Sequence, residues 1–106
     1  MAGTLISGNS TIKISAAVSN SISSGASSSA TLYTCPANSY ALVQLACSAF
    51  GANGTFTVGG RVICTFAAVS ATPIWAYVGP SQVVQVSSSG AANTGTISGV
   101  EFINTP

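Results

Sequence analysis

The chain has no histidine, no aspartate and one glutamate, Glu101. Those absences exclude most catalytic designs. Paired-carboxylate acid–base chemistry needs two acids. A serine or cysteine nucleophile needs a base within reach, commonly histidine. Lys13, the other candidate base, falls on the polar face of its strand. Calcium needs clustered carboxylates, and a structural zinc needs four ligands. Cys35, Cys47 and Cys64 are separated by twelve and seventeen residues and match no short metal knuckle. The chain therefore reads as a non-enzyme that needs no cofactor.

Charge is nearly absent too. Lys13, Arg61 and Glu101 make up the charged 3% of the chain, where an ordinary soluble domain has about 25%. Two cations make no basic patch, so no nucleic-acid partner is expected. There is no polybasic or amphipathic membrane-binding segment. The longest apolar runs are broken by Ser, Thr, Gly or Gln before the eighteen or so residues of a spanning helix, so no membrane partner is expected either. "MAGTLISGNSTIKIS" lacks a charged region followed by an apolar one, and no secretory signal is expected. An odd number of cysteines without such a signal favours reduced thiols in the compartment of synthesis. A nearly neutral, hydroxyl-rich surface repels its own copies little. It suits a subunit that lives in a large assembly.

What is present is enough for one core. The chain has 106 residues, 47% of them hydrophobic, within the size range of a single domain. Residues 11–18 alternate at period two, with Ile12, Ile14, Ala16 and Val18 on one face. This is either the first edge strand of the domain or an arm that pairs with a neighbouring subunit. "SNSISSGASSSA" (19–30) has almost nothing to bury and reads as a linker. The expected organisation is therefore an N-terminal segment over 1–30 and a β-sandwich domain over 31–106.

From residue 31 onward strands and turns follow at short intervals. Strands are expected at 31–35, 40–50, 55–58, 61–69, 74–78, 82–88 and 96–104. Turn signals separate them: Pro36-Ala37-Asn38-Ser39, "GANG" (51–54), Gly59-Gly60, "GPS" (79–81) and "SGAANTG" (89–95). "VGGRV" (58–62) reads as a hairpin rather than a phosphate loop, because no helix follows it. No segment carries helical periodicity. The pattern predicts an all-β protein, an antiparallel, jelly-roll-like β-sandwich with an extended N-terminal segment.

Several of these strands are apolar on both faces. Ala41, Val43, Leu45, Cys47 and Ala49 oppose Tyr40, Leu42, Ala46 and Phe50. Ile74, Ala76 and Val78 oppose Trp75 and Tyr77. Val62, Cys64, Phe66 and Ala68 oppose Ile63, Ala67 and Val69. A sheet with one wet face should alternate apolar and polar residues, and a two-layer sandwich has one interior. The second apolar faces need a cover: loops, the N-terminal segment or, preferably, another subunit. Trp75 and Tyr77 share a face and read either as an interface or sugar-stacking patch or as ordinary core. Arg61 and Glu101 are oppositely charged and either pair, within or between subunits, or are solvated. Cys35, Cys47 and Cys64 read as small hydrophobes with inert thiols. The candidate partner-binding residues are Ile12, Ile14, Val18, Trp75, Tyr77, Arg61 and Glu101. A repetitive adhesive or ice-binding surface would need a strict threonine repeat, and there is none.

Leu32, Tyr33, Thr34, Pro36, Ala37, Ala41 and Val43 form a segment that resembles one in small β-sandwich virion proteins of tailed bacteriophages. These are head decoration (cement) proteins and tail-fibre or knob domains. "FTVGGRV" (56–62), "VGPSQVVQVS" (78–87) and "ISGVEFIN" (97–104) fit the same resemblance, which spans residues 31–104. The sequence departs from that pattern at Asn38-Ser39, where Gly followed by Lys or Arg is common. The resemblance implies a structural protein, often a homotrimer, made in the host cytoplasm and bound at the virion surface. Its partners would be its own copies and the major capsid protein or other virion subunits. In the tail-fibre alternative, Trp75, Tyr77 or loop residues meet a host glycan.

Overall fold

Gly59 and Gly60 take φ angles of 60° and 81°. Two consecutive positive φ values fit the tight hairpin turn whose twist matches that of its strands. They close β4 (Gly54–Val58) onto β5 (Arg61–Phe66). The chain on either side pairs outward from this hairpin in nested order. β3 (Tyr40–Ala49) pairs with β6 (Ile74–Val78), and β2 (Ser29–Thr34) with β7 (Val83–Ser87). β1 (Thr11–Ser23) pairs with β8 (Thr94–Thr105). Every pair is antiparallel. This is a computed structural model, and it describes residues 11–70 and 72–105.

The nested ladder rolls into two four-stranded sheets, β1-β8-β3-β6 and β2-β7-β4-β5. That is the strand order of a jelly-roll sandwich, as the sequence pattern predicts. The inward faces of the two sheets make one core. Ala41, Val43, Leu45, Ala76, Val78 and Ile97 come from the first sheet, and Leu32, Phe56, Val58, Val84 and Val86 from the second. Each buried Val, Leu or Phe contributes roughly 1.5–3 kcal/mol by leaving water. The Pro36–Ser39 turn forms, with the Ser39 N–H donating to the Pro36 carbonyl at 3.1 Å. Pro80 and Ser81 make the β6–β7 turn. The Gln82 N–H donates to the Gly79 carbonyl, and Ser81 takes a positive φ of 64°.

Three expectations are corrected. First, the serine tract at 19–30 is not a loose linker. Ser19–Ser23 continue β1 against Ser98–Thr94, and Ser29 opens β2. Backbone pairing with β8 is indifferent to the serine side chains, and Ile22 packs against the core. The turn between the strands is fastened as well. The Ser24 N–H donates to the Asn93 carbonyl at 2.8 Å, and the Asn93 N–H returns a bond to Ser24 Oγ at 3.1 Å. Residues 1–10 lie outside the described residues.

Second, Ile14 and Val18 do not share a face. Ser15 is an extra residue in β1, between the Ile14–Phe102 and Ala16–Glu101 pairs. One inserted residue reverses the phase of every side chain beyond it. Third, β5 ends at Phe66, short of the expected 61–69. A bulge at Ile63 turns Cys64 and Phe66 toward the core and leaves Val62 outside.

Candidate functional site: an aromatic outer face

The alternation of β3 and β6 that buries Ala41, Val43, Ala76 and Val78 turns Tyr40, Leu42, Trp75 and Tyr77 outward. On β8, Val100 and Phe102 share that side, and on β1 so does Ile14. The registers align them in rows across the sheet. Ile14, Phe102 and Tyr40 form one row, Ala17, Val100, Leu42 and Tyr77 the next, and Ser19, Ser98, Gln44 and Trp75 a third. Tyr40 stacks on Tyr77 at 6.0 Å and on Phe102 at 5.9 Å between ring centroids. Tyr77 and Phe102 lie 6.5 Å apart. Such pairs hold one another in place, each contributing about 0.5–1.5 kcal/mol beyond area burial.

Nothing among the described residues covers this face. Ile14 is 68% exposed, Trp75 63%, Tyr77 55% and Leu42 41%. An apolar surface that is contiguous and rimmed by polar residues marks an interaction site. The close fit of β8 against β3 is what presents it. A Cβ on Gly99 would lie 2.2 Å from the Leu42 carbonyl oxygen, so only glycine allows the two strands to meet there.

The other outer face is mostly polar, with Val62 exposed at its β5 edge. Ser29, Ser87, Thr55 and Thr65 run across β2-β7-β4-β5, followed by Thr31, Gln85 and Thr57. These groups satisfy one another: Thr55 Oγ1 and Ser87 Oγ are 2.6 Å apart, and Gln85 Nε2 donates to Thr31 Oγ1 at 3.4 Å.

The ionisable groups are structural in their placement. Glu101 points inward from β8 and accepts a hydrogen bond from the Tyr33 hydroxyl at 2.6 Å, tying the two sheets together. Burial, reinforced by that bond, raises the Tyr33 pKa well above its ordinary value, so the phenol keeps its proton. Burial raises the Cys35 and Cys47 thiols as well, which keeps them protonated and poorly nucleophilic. Among the described residues, no group of three or more His, Cys, Asp or Glu side chains gathers to hold a metal ion. No described helix is long and apolar enough to cross a membrane.

The candidate partner-binding residues therefore separate. Ile14, Trp75 and Tyr77 share the aromatic face, Ile14 on its β1 edge and Trp75 and Tyr77 on its β6 edge. Val18 does not: it is 6% exposed and belongs to the core. The Ile12 side chain lies outside the described residues. Arg61 and Glu101 do not pair within the chain. Glu101 is held by Tyr33, whereas Arg61 lines an open cleft of about 330 Å³ with Val58, Gly59, Ile63, Tyr77 and Gln82. Val100 and Phe102 were absent from the candidates. Their signal was the alternation of β8 itself, where Ile97, Gly99 and Glu101 turn inward and leave Ser98, Val100 and Phe102 outside.

No protein-family model matches the chain, and no curated protein does. A solved structure is similar in fold. It is a chain of the Bacillus endospore appendages, described as a novel family of disulfide-linked pili. The match has a TM-score of 0.59 at 17% identity and covers 93% of each chain.

Proposed function

We propose that this protein is a non-enzymatic structural subunit that assembles with copies of itself into an extracellular surface structure. The aromatic outer face carries the reading. A sandwich that keeps Trp75, Tyr77, Leu42 and Ile14 in water has a use for them, and the near absence of charge removes the usual barrier to association. The shared fold with an endospore appendage protein supports a pilus-like filament as the form of assembly. Linkage by disulfides belongs to that relative. In this chain Cys35 and Cys47 are each 1% exposed and Cys64 is half-buried, so the reading rests on apolar burial between copies and not on bonds through Cys35 or Cys47.

A second reading rests on the resemblance of residues 31–104 to phage virion proteins. In it the subunit decorates a phage head as a closed oligomer, such as a trimer, held to the major capsid protein. Electron microscopy of the purified protein at rising concentration tests both readings. Filaments that persist in dithiothreitol support the first. Closed oligomers that bind undecorated heads support the second. A monomer at every concentration, with no affinity for heads, contradicts both.

A further inference from the structure

Among the described surfaces of this chain, the aromatic face gathers the most exposed large apolar side chains on one sheet, and the same face of a second copy is an apolar complement for it. Laid on the hydroxyl-bearing face of β2-β7-β4-β5, its Ile, Leu and aromatic side chains would lie over Thr55, Thr57, Gln85 and Ser87 and find no apolar partner for most of their area. Of the eight large apolar side chains exposed among the described residues, four lie on this face: Ile14, Leu42, Trp75 and Tyr77. None of its side chains is charged, and the one carboxylate of β8, Glu101, is turned inward to Tyr33. A symmetric pairing therefore sets no like charges against each other.

We propose that the β1-β8-β3-β6 face packs on the same face of a second copy, about a two-fold axis that runs between β8 and β3. The proposal rests on the structural-subunit reading and names the contact that it needs. This axis sets like rows together. Phe102 of one copy meets Tyr40 of the other, Val100 meets Leu42, and Ser98 meets Gln44, where a hydroxyl finds an amide. The two sheets form a second dry layer at the usual sheet spacing of about 10 Å. Such a contact is isologous, with the same patch used on both sides.

The size of the face sets the strength of the contact. Four strands at about 4.8 Å spacing and three rows of alternate residues cover roughly 400 Å² of flat footprint. A standard specific interface buries about 800 Å² on each partner. The isolated pair is consequently weak, and because the two-fold contact closes at a pair, growth into a filament uses a second contact between pairs that reinforces it.

A charge swap at Leu42 tests the proposal. Next to a two-fold axis, Leu42→Glu places two carboxylates close together and Leu42→Lys two ammonium groups. Sedimentation should show self-association about tenfold weaker or worse for each variant alone. An equimolar mixture should recover it, because Glu then faces Lys. If both variants weaken association and the mixture does not recover, the face meets a different surface and the two-fold contact is wrong. If both associate like the parent, the face is not an interface, although the subunit reading stands. If the parent itself never associates, both fall. Circular dichroism and thermal melting confirm that the variants fold. Should the Leu42 variants not fold, the same swap at Val100, across the proposed axis, gives the same discrimination.

Discussion

The two outer faces of the sandwich share a scaffold and differ in chemistry. Both sheets turn Val, Ala, Leu or Phe inward on alternate residues. Outside, β2-β7-β4-β5 carries mostly Ser, Thr and Gln, several of them bonded to one another, whereas β1-β8-β3-β6 carries Tyr, Trp, Leu, Val, Phe and Ile whose carbon surface meets water. The hydroxyl face is the ordinary wet side of an antiparallel sheet. The aromatic face has the composition of an interior and is left outside. A jelly roll of this size needs one core, which leaves the second set of apolar side chains free for the contact between copies proposed above.

The comparison breaks most severely where the aromatic sheet is closest packed. Gly99→Val drives a Cβ into the Leu42 carbonyl and separates β8 from β3, the two central strands under the patch. It should cost about 4 kcal/mol or more in chemical denaturation, or prevent folding. Gly60→Ala in the hairpin of the hydroxyl sheet should cost only about 1 kcal/mol. There the penalty is the positive φ alone, since no atom lies within 4 Å of the added Cβ.

A smaller effect is expected where the sheets are tied. Tyr33→Phe removes the donor to Glu101 and should cost about 1–2 kcal/mol at neutral pH. It should also change the alkaline limb of the stability curve. In the folded protein the Tyr33, Cys35 and Cys47 pKa values are raised, each first by burial. The unfolded chain then releases protons at lower pH than the folded one. Stability is therefore full below the ordinary values of 9.0 for cysteine and 10.0 for tyrosine, and falls as pH rises through them. Urea melts across that range should show the fall, with a shallower slope above pH 10.0 in Tyr33→Phe.

Much of this was legible in the sequence. Period-two alternation and turn chemistry predict the sandwich, the Gly59-Gly60 hairpin and the Pro36–Ser39 turn, but leave open which face of 74–78 turns inward. Bulges were not legible. Ser15 and Ile63 each add one residue without any change in composition, and each reverses which side chains are buried beyond it. The serine tract misled for a related reason. Composition measures what side chains can bury, and β1 is held through residues 19–23 by its backbone ladder with β8. The Tyr33–Glu101 bond joins residues 68 apart in sequence, and no local pattern announces it. The opposed apolar residues at 40–50 and 74–78 did show that a second face existed. Which residues of β8 complete it depended on the register.

The chain holds one tryptophan, and it lies on the disputed face. Trp75 fluorescence, followed with acrylamide quenching as the protein is concentrated from dilute monomer into assembly, reads the central claim directly. Burial of the aromatic face between copies predicts a blue shift and loss of quenching in step with the rise in mass. Assembly with Trp75 still red-shifted and fully quenchable would mean that another surface joins the copies.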